Sequence, residues 1–402
     1  MTLWAGRVGV ELAPEVRAFL RGDDAELLPY DLEGTLVHAH RLLAAGILTA
    51  AELAEVEARL ATLDIADLEP DDEDIHSAIE RLLGDLGRKI HAGRSRNDQV
   101  ATALRLYVRD ACAEAEAGLV TLARVLLERA ETEAATPMPG YTHLQLAIPI
   151  TLGHHLLAWV EMLERDRSRL RFAAAQATPS PLGAGALAGS TLPLPLPPEP
   201  MRNSLDAVAD RDFALDYLYA GAAAFGHLSR ISEELVLWTT SEFGFARLPE
   251  HAATGSSMMP QKLNADVAEL TRGKAGTAIG RLTGLLATLK GLPLAYNRDL
   301  QEDKQAVFGA RADLRGALAA LTVLIAGLVL DRERLAEACA DPLLRATDAA
   351  EALVRDGVPF RDAHHQVAAT VREGSFVPPA EQLPRFGDVG TAVLAAKKRW
   401  SI

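Results

Sequence analysis

The chain has 402 residues, more than one compact core ordinarily holds, so two or three domains are expected. A formal charge of −14, from 41 basic and 55 acidic residues, argues against nucleic-acid binding, which needs a basic surface. It does not exclude an anionic substrate, because local charge can oppose net charge.

The first section, to about residue 93, is acidic and reads as shorter helices. Its opening, MTLWAGRVGVELAPEV, lacks a long apolar core behind a basic patch, so no secretory signal is expected. EDIH at residues 73–76, running into SAIE, has the form of a helix-capping box. HAGRSRNDQVAT follows at residues 91–102: Gly93 permits a turn, six polar residues come next, and then helix-compatible sequence. This reads as a loop feeding a helix N-terminus, which suits an anion; the alternative is a solvated cap with a surface ion pair.

Hydrophobic content is 49% but aromatic content only 5%, so Ala and Leu carry the core, which favours helix. No proline occurs between Pro70 and Pro137, Pro200 and Pro249, or Pro293 and Pro342. These windows permit unusually long helices, and apolar residues recur at three- and four-residue steps over 218–238 and 268–289. MPGYTHLQ, at 138–145, predicts a turn at Pro139-Gly140 and then a new helix, with Thr142 and His143 near its start. His143 is a proton donor near neutral pH or, as lone histidines more often are, a packed or capping residue. The segment 192–200 has five prolines in nine residues and must be a loop or extended connector.

The most informative stretch is GSSMMPQKLN, residues 255–264. Small residues open the backbone amides to a ligand, and Lys262 and Asn264 can meet an anion with a charge and a neutral donor. That equipment can hold a carboxylate while a proton leaves the carbon beside it. The alternative is a flexible surface loop, against which two adjacent methionines speak. Glu269 is either a helix-face residue or a group that orients a histidine. YNRDLQEDK, 296–304, offers a phenol, an amide and an ammonium in Tyr296, Gln301 and Lys304, or simply a charged helix start.

A break near Asp341-Pro342 precedes the last section. His154-His155 and His364-His365 lack metal-ligand spacing and read as helix surface or packing, so no metal site is expected. Apolar runs such as 317–330 are short for a membrane span. Cys112 and Cys339 form no disulfide framework, which fits a reducing cytoplasm. No segment shows sustained strand alternation, and no phosphate loop, GxSxG or dinucleotide fingerprint is present. The expectation is an all-α chain with a central bundle of long helices, divided at 1–93, 94–338 and 339–402.

In this order the clusters resemble the fumarase/aspartase superfamily and, within it, the argininosuccinate lyases. The likeness runs from LWAGR through EDIH, HAGRSRNDQVAT, MPGYTHLQ, SPLGAGALAGS, RNSLDAVADRD, GSSMMPQKLNAD, LKGLPLAYNRDLQEDK and GVPFRDAHH, most of the chain. GSSxMPxKxN is the superfamily signature. Two further patterns, HxGRSRNDQ and YNxDLQEDK, point to the argininosuccinate lyase branch.

The resemblance implies a three-domain helical subunit and a homotetramer in which each active site draws on three subunits. It implies a small-molecule substrate, no cofactor and no metal: argininosuccinate is split to fumarate and arginine by β-elimination. The hard part is the dianion that builds on a carboxylate when the adjacent carbon loses its proton. By similarity Lys262 and Asn264 stabilise it, helped by amides of the 255–257 loop. Ser256 resembles the base, either held as an alkoxide or losing its proton as it acts. His143 resembles the general acid or a polariser of the leaving group, with Glu269 its orienting partner. Substrate holding falls by similarity to Asn97, Thr142, Tyr296, Gln301 and Lys304, with Arg94 and Ser95 near the succinate carboxylates and Arg211 a further candidate for that anion.

Several positions depart from the family. Residues 17–31 lack its Asn-x-Ser, the connector after ALAGS is proline-rich and short, and the C-terminal domain looks trimmed. Leu146, Ile148, Leu263 and Ala265 stand where other residues are usual. The reaction set is intact while the rim is altered. The alternatives are therefore a paralogous C–N lyase for another N-substituted aspartate, or a non-catalytic, crystallin-like relative.

Overall fold

The computed structural model describes residues 12–69, 71–380 and 388–402. The LWAGR stretch lies outside these residues, as does most of the segment read for a secretory signal. Among the described residues five shorter helices come first: α1 (Pro14–Leu20), α2 (Leu28–Ala44), α3 (Ala50–Leu60), α4 (Ile75–Leu83) and α5 (Asp85–Ile90). The long helices are α6 (Arg96–Thr132), α7 (Leu152–Gln176), α9 (Asp212–Trp238), α10 (Asp266–Leu289) and α11 (Asp303–Gly327), with the short α8 (Ser204–Ala209) before α9. The last section holds α12 (Arg332–Ala338), α13 (Ala346–Arg355), α14 (Phe360–Arg372) and α15 (Val389–Trp400). None of the five long helices contains a proline, and three of them occupy the proline-free windows noted above. The fold is all-α, as the composition implies.

Three two-stranded antiparallel ribbons interrupt the helices: β1 (Pro137–Thr142) with β2 (Gln145–Thr151), β3 (Ala246–Arg247) with β6 (Val329–Leu330), and β4 (Thr254–Gly255) with β5 (Leu263–Asn264). The first corrects the sequence reading. Pro139-Gly140 makes no turn before a helix; the register shifts between Pro139 and Tyr141, which is a bulge. The turn lies at His143 and Leu144, with φ of 57° and 56°, closed by the Thr142–Gln145 pair. Positive φ at both central residues is the turn geometry that matches strand twist. The helix that follows starts only at Leu152.

The proposed capping box is present. Asp74 accepts from the Ser77 amide at 2.8 Å, and Ser77 Oγ accepts from the Asp74 amide at 3.2 Å.

The chain forms two compact units, each built from three segments. The first comprises the residues up to Glu116, Asp166–Ala223 and Gly276–Arg315; the second comprises Ala117–Arg165, Ala224–Ala275 and Gly316–Ile402. In the first, Leu27, Leu42, Ile75, Ile79, Leu83 and Ile90 bury the apolar faces of the short helices. Each such side chain stabilises by about 1.5–3 kcal/mol. Tyr107 and Phe308 meet there with ring centroids 4.8 Å apart. In the second, Trp159 and Trp238 stack at 5.2 Å, and His155 packs on both and pairs with Glu234. That histidine is a packing residue, as its spacing suggested.

Candidate active site

In the first unit the HAGRSRNDQ loop turns at Gly93 (φ 70°) and enters α6 at Arg96. Arg94, Ser95 and Asn97 are half-buried rather than solvated. Asp98, fully buried, is the knot. Its Oδ1 accepts from the Ser95 amide at 2.8 Å, and its Oδ2 accepts from the Gly183 and Gly185 amides at 2.9 Å each. Asn97 Nδ2 donates to the Ala186 carbonyl at 3.1 Å, so the SPLGAGALAGS loop is fastened to this one. Sequence reading passed over Asp98, although a carboxylate three residues after Ser95 at a helix start is a recognisable capping signal.

Arg94 donates to Thr35 Oγ1 at 2.8 Å. Beneath it Asp31 accepts from Gln99 at 2.8 and 3.0 Å and pairs with His76 Nδ1 at 2.8 Å. Burial pushes the Asp31 carboxyl up, but His76, Arg94 and Gln99 outweigh it and hold it below the usual carboxylate range. Burial likewise disfavours charge on His76, yet Asp31 raises that imidazole above its ordinary value. His38 behaves in the opposite way. It bonds the Ala92 carbonyl at 3.0 Å and Arg41 Nη1 at 3.1 Å, and burial, with Arg94 and Arg41 nearby, lowers it to about 3.

The YNRDLQEDK segment forms a 3₁₀ turn, Arg298–Glu302, that runs into α11. Tyr296 packs against Ala184, Ala207 and Val208. Gln301 Nε2 donates to the Arg21 carbonyl at 3.1 Å and the Leu20 carbonyl at 3.4 Å. Lys304 Nζ donates to Asp303 Oδ1 at 2.9 Å, and Arg211 Nε donates to Asp303 Oδ2 at 2.5 Å.

In the second unit, the Thr254–Asn264 and Gly255–Leu263 pairs close a loop over residues 256–262. Thr254 also bonds Asp266 at the start of α10. Ser256 Oγ accepts from the Met258 amide at 3.2 Å and the Met259 amide at 3.0 Å. These two donors come from Met258 and Met259, not from the 255–257 amides expected to meet a ligand. Lys262 and Asn264 end the same loop, so Ser256, Lys262 and Asn264 share one ribbon. Met258 is 87% exposed. Glu269 is exposed in the first turn of α10, and Thr142 and His143 are exposed at the β1–β2 tip. Among the described residues no hydrogen bond joins His143 to Glu269 or to Ser256 within one chain. Nor does any group of three or more His, Cys, Asp or Glu among them have the arrangement to hold a metal ion.

Residues 34–280 match the family described as lyase, and residues 343–377, around α13 and α14, match the argininosuccinate lyase C-terminal family. An argininosuccinate lyase from Frankia casuarinae is 51% identical over 391 residues, spanning 92% of this chain and 84% of that one. The chain belongs to the argininosuccinate lyase family. Another member, from a Synechococcus species, is 46% identical over 390 residues, spanning 92% of this chain and 80% of that one. Among solved structures, an EDDS lyase in complex with formate superposes with a TM-score of 0.76 at 28% identity, covering 96% of this chain and 84% of that one. Family membership makes the chain a C–N lyase.

Proposed function

We propose that this member of the argininosuccinate lyase family cleaves argininosuccinate to fumarate and arginine by β-elimination. The observation that carries the reading is the pair of amides on Ser256 Oγ. Two N–H donors on a hydroxyl oxygen favour negative charge there and leave its lone proton free to go, which is what a serine base needs. Ser256 takes the proton from the carbon beside a succinate carboxylate. The excess charge passes to that carboxylate, where Lys262 and Asn264 stabilise it; one such donor is worth roughly 10²–10³-fold. The C–N bond breaks, and His143, oriented by Glu269, gives its proton to the departing guanidino nitrogen. Arg94 and Ser95 lie at the succinate end. Asn97 and Thr142 help hold the substrate, Tyr296, Gln301 and Lys304 grip the amino-acid end of its arginine portion, and Arg211 lies behind them.

These groups act together across copies of the chain, in a homotetramer whose sites each draw on three subunits. One face of α10 supports this. Leu270, Ile279 and Leu286 are 63%, 56% and 49% exposed. On Gly273, Gly276, Gly280 and Gly284 an added Cβ would meet nothing within 4 Å. A long helix with an uncovered face of leucine, isoleucine and glycine suits close packing against another helix. Each subunit has the three-domain division at 1–93, 94–338 and 339–402. The setting is the cytoplasm, consistent with cysteines 112 and 339 being free. Among the described residues no helix is long and apolar enough to cross a membrane.

A second reading, cleavage of another N-substituted aspartate, is favoured by Gln301, whose amide already serves the Leu20 and Arg21 carbonyls. The test follows fumarate by its ultraviolet absorbance, first with argininosuccinate and then with other N-succinyl amines. Fumarate from argininosuccinate at the highest kcat/KM supports the first reading, and a preference for another amine supports the second. No fumarate from any of them, with a folded tetramer, refutes both in favour of a non-catalytic relative.

A further inference from the structure

We propose that Arg211 is a positioning residue: through Asp303 it fixes the Lys304 ammonium, and with it the grip on the amino-acid end of the substrate. The inference rests on the reading that Lys304 holds that end.

Arg211 is 1% exposed, and the side chains of its pair with Asp303 are both fully enclosed. Its Nε serves Asp303 and its Nη1 donates to the Asp210 carbonyl at 2.8 Å, while Nη2 is buried without a protein partner. A guanidinium so enclosed and engaged is poorly placed to meet an incoming dianion, although its residue type suggests that role. Its backbone is equally fixed, since the Arg211 carbonyl accepts from the Ala214 and Leu215 amides at 3.0 Å as α9 begins.

Asp303 and Lys304 are consecutive residues at the start of α11. Neighbours on a helix point about 100° apart and do not naturally face each other. Their 2.9 Å contact therefore requires the carboxylate to be turned toward the lysine. Arg211 Nε holds the opposite oxygen, so with Lys304 on Oδ1 and Arg211 on Oδ2 both carboxylate oxygens are held and the group cannot swing away from the lysine. Asp303 then stays ionised: burial pushes it up, but Lys304 and Arg211 together bring it below the usual carboxylate range. Of the three side chains Lys304 is the most accessible, at 7%. It is the end of the relay from which a substrate can be reached.

Product inhibition separates the two ends of the substrate site. In Arg211→Met the inhibition constant for arginine should rise roughly tenfold, while that for fumarate stays within about twofold. Lys304→Met should show the same selectivity, and the double variant should go no further than Lys304→Met alone, because the two act as one unit. A rise in the fumarate constant would place Arg211 on the succinate end and overturn the proposal. So would arginine effects that multiply in the double variant. If Lys304→Met itself leaves arginine inhibition unchanged, the assignment of Lys304 fails and the proposal falls with it, a result distinct from Arg211→Met alone being silent. Should Arg211→Met misfold, Arg211→Met with Asp303→Asn removes the guanidinium and its carboxylate together and leaves Lys304 as the one charge of the cluster. That variant should fold, lose arginine inhibition selectively, and recover part of it as Arg211→Lys with Asp303 retained. Wild-type arginine inhibition in the folded pair variant would refute the relay.

Discussion

Asp303, Arg211 and Lys304, in the first unit, are 0%, 1% and 6% exposed, whereas Met258, two residues from Ser256 in the second, is 87% exposed. The first group is enclosed, ion-paired and anchored at helix starts. The second rides on ribbons and loop tips, with Lys262, His143 and Glu269 exposed and Ser256 and Asn264 half-buried. In the first unit a substitution disturbs folding as well as binding, because enclosed charges lose partners. In the second it can remove chemistry and leave the fold alone. On the proposed mechanism this is the difference between a pre-formed grip and a reactive loop that other copies of the chain complete.

Ser256→Ala is the strongest way to break this contrast. Turnover, read as fumarate release, should fall roughly 10³-fold or more, with thermal unfolding and tetramer content unchanged. Near-normal turnover would remove the serine from the mechanism. Asp303→Asn tests the other side: it leaves two enclosed cations without their carboxylate and should destabilise by roughly 3–5 kcal/mol in denaturant unfolding. A loss comparable to that of a surface substitution would mean the cluster is not closed in solution. Lys262→Met should cost roughly 10²–10³-fold in kcat/KM with little change in stability. An unaffected rate would mean that the anion is held elsewhere.

The smallest effect concerns pH. His38 is lowered to about 3 in the fold, whereas an unfolded histidine titrates near 6.5. The unfolded chain therefore binds the extra proton, and stability should decline as pH falls from about 6.5 toward 4, by up to about 1.4 kcal/mol per pH unit. His76, raised in the fold, works in the other direction: its contribution is complete below about 6.5 and fades only as pH climbs through its folded value. His38→Gln can still donate to the Ala92 carbonyl and accept from Arg41, and should flatten the slope between pH 4 and 6.5. A slope unchanged in that variant would assign it to other groups.

Much of the helical frame was legible because its signals are local. Proline-free windows bounded α6, α9 and α11, and the Asp74–Ser77 cap is a three-residue spacing. The β1–β2 ribbon was missed because Pro-Gly is a common turn signal, while the true turn uses His-Leu, which sequence alone seldom places at positive φ. The groups that flank the proposed site were recognisable by residue type, but their partners were not. Arg211 lies 92 positions from Asp303, and Asp31 lies 45 from His76. Such pairings are made by the packing of helices and leave no periodic trace in a single sequence. Exposure was hard to read for the same reason: the adjacent methionines spoke against a surface loop, yet Met258 is 87% and Met259 42% exposed, while Arg211 is interior.

The tip of the β1–β2 ribbon has one more implication. Leu144 is a branched residue in the left-handed region, φ 56°, a conformation that costs about 1–2 kcal/mol without glycine. Leu144→Gly should therefore raise the melting temperature slightly, and it should also loosen the aim of the neighbouring imidazole, so that turnover drops while the protein becomes hardier. The leucine would then be a small thermodynamic sacrifice that keeps an exposed ring pointing one way, and a tip that tolerates glycine with full turnover would show that its stiffness serves nothing.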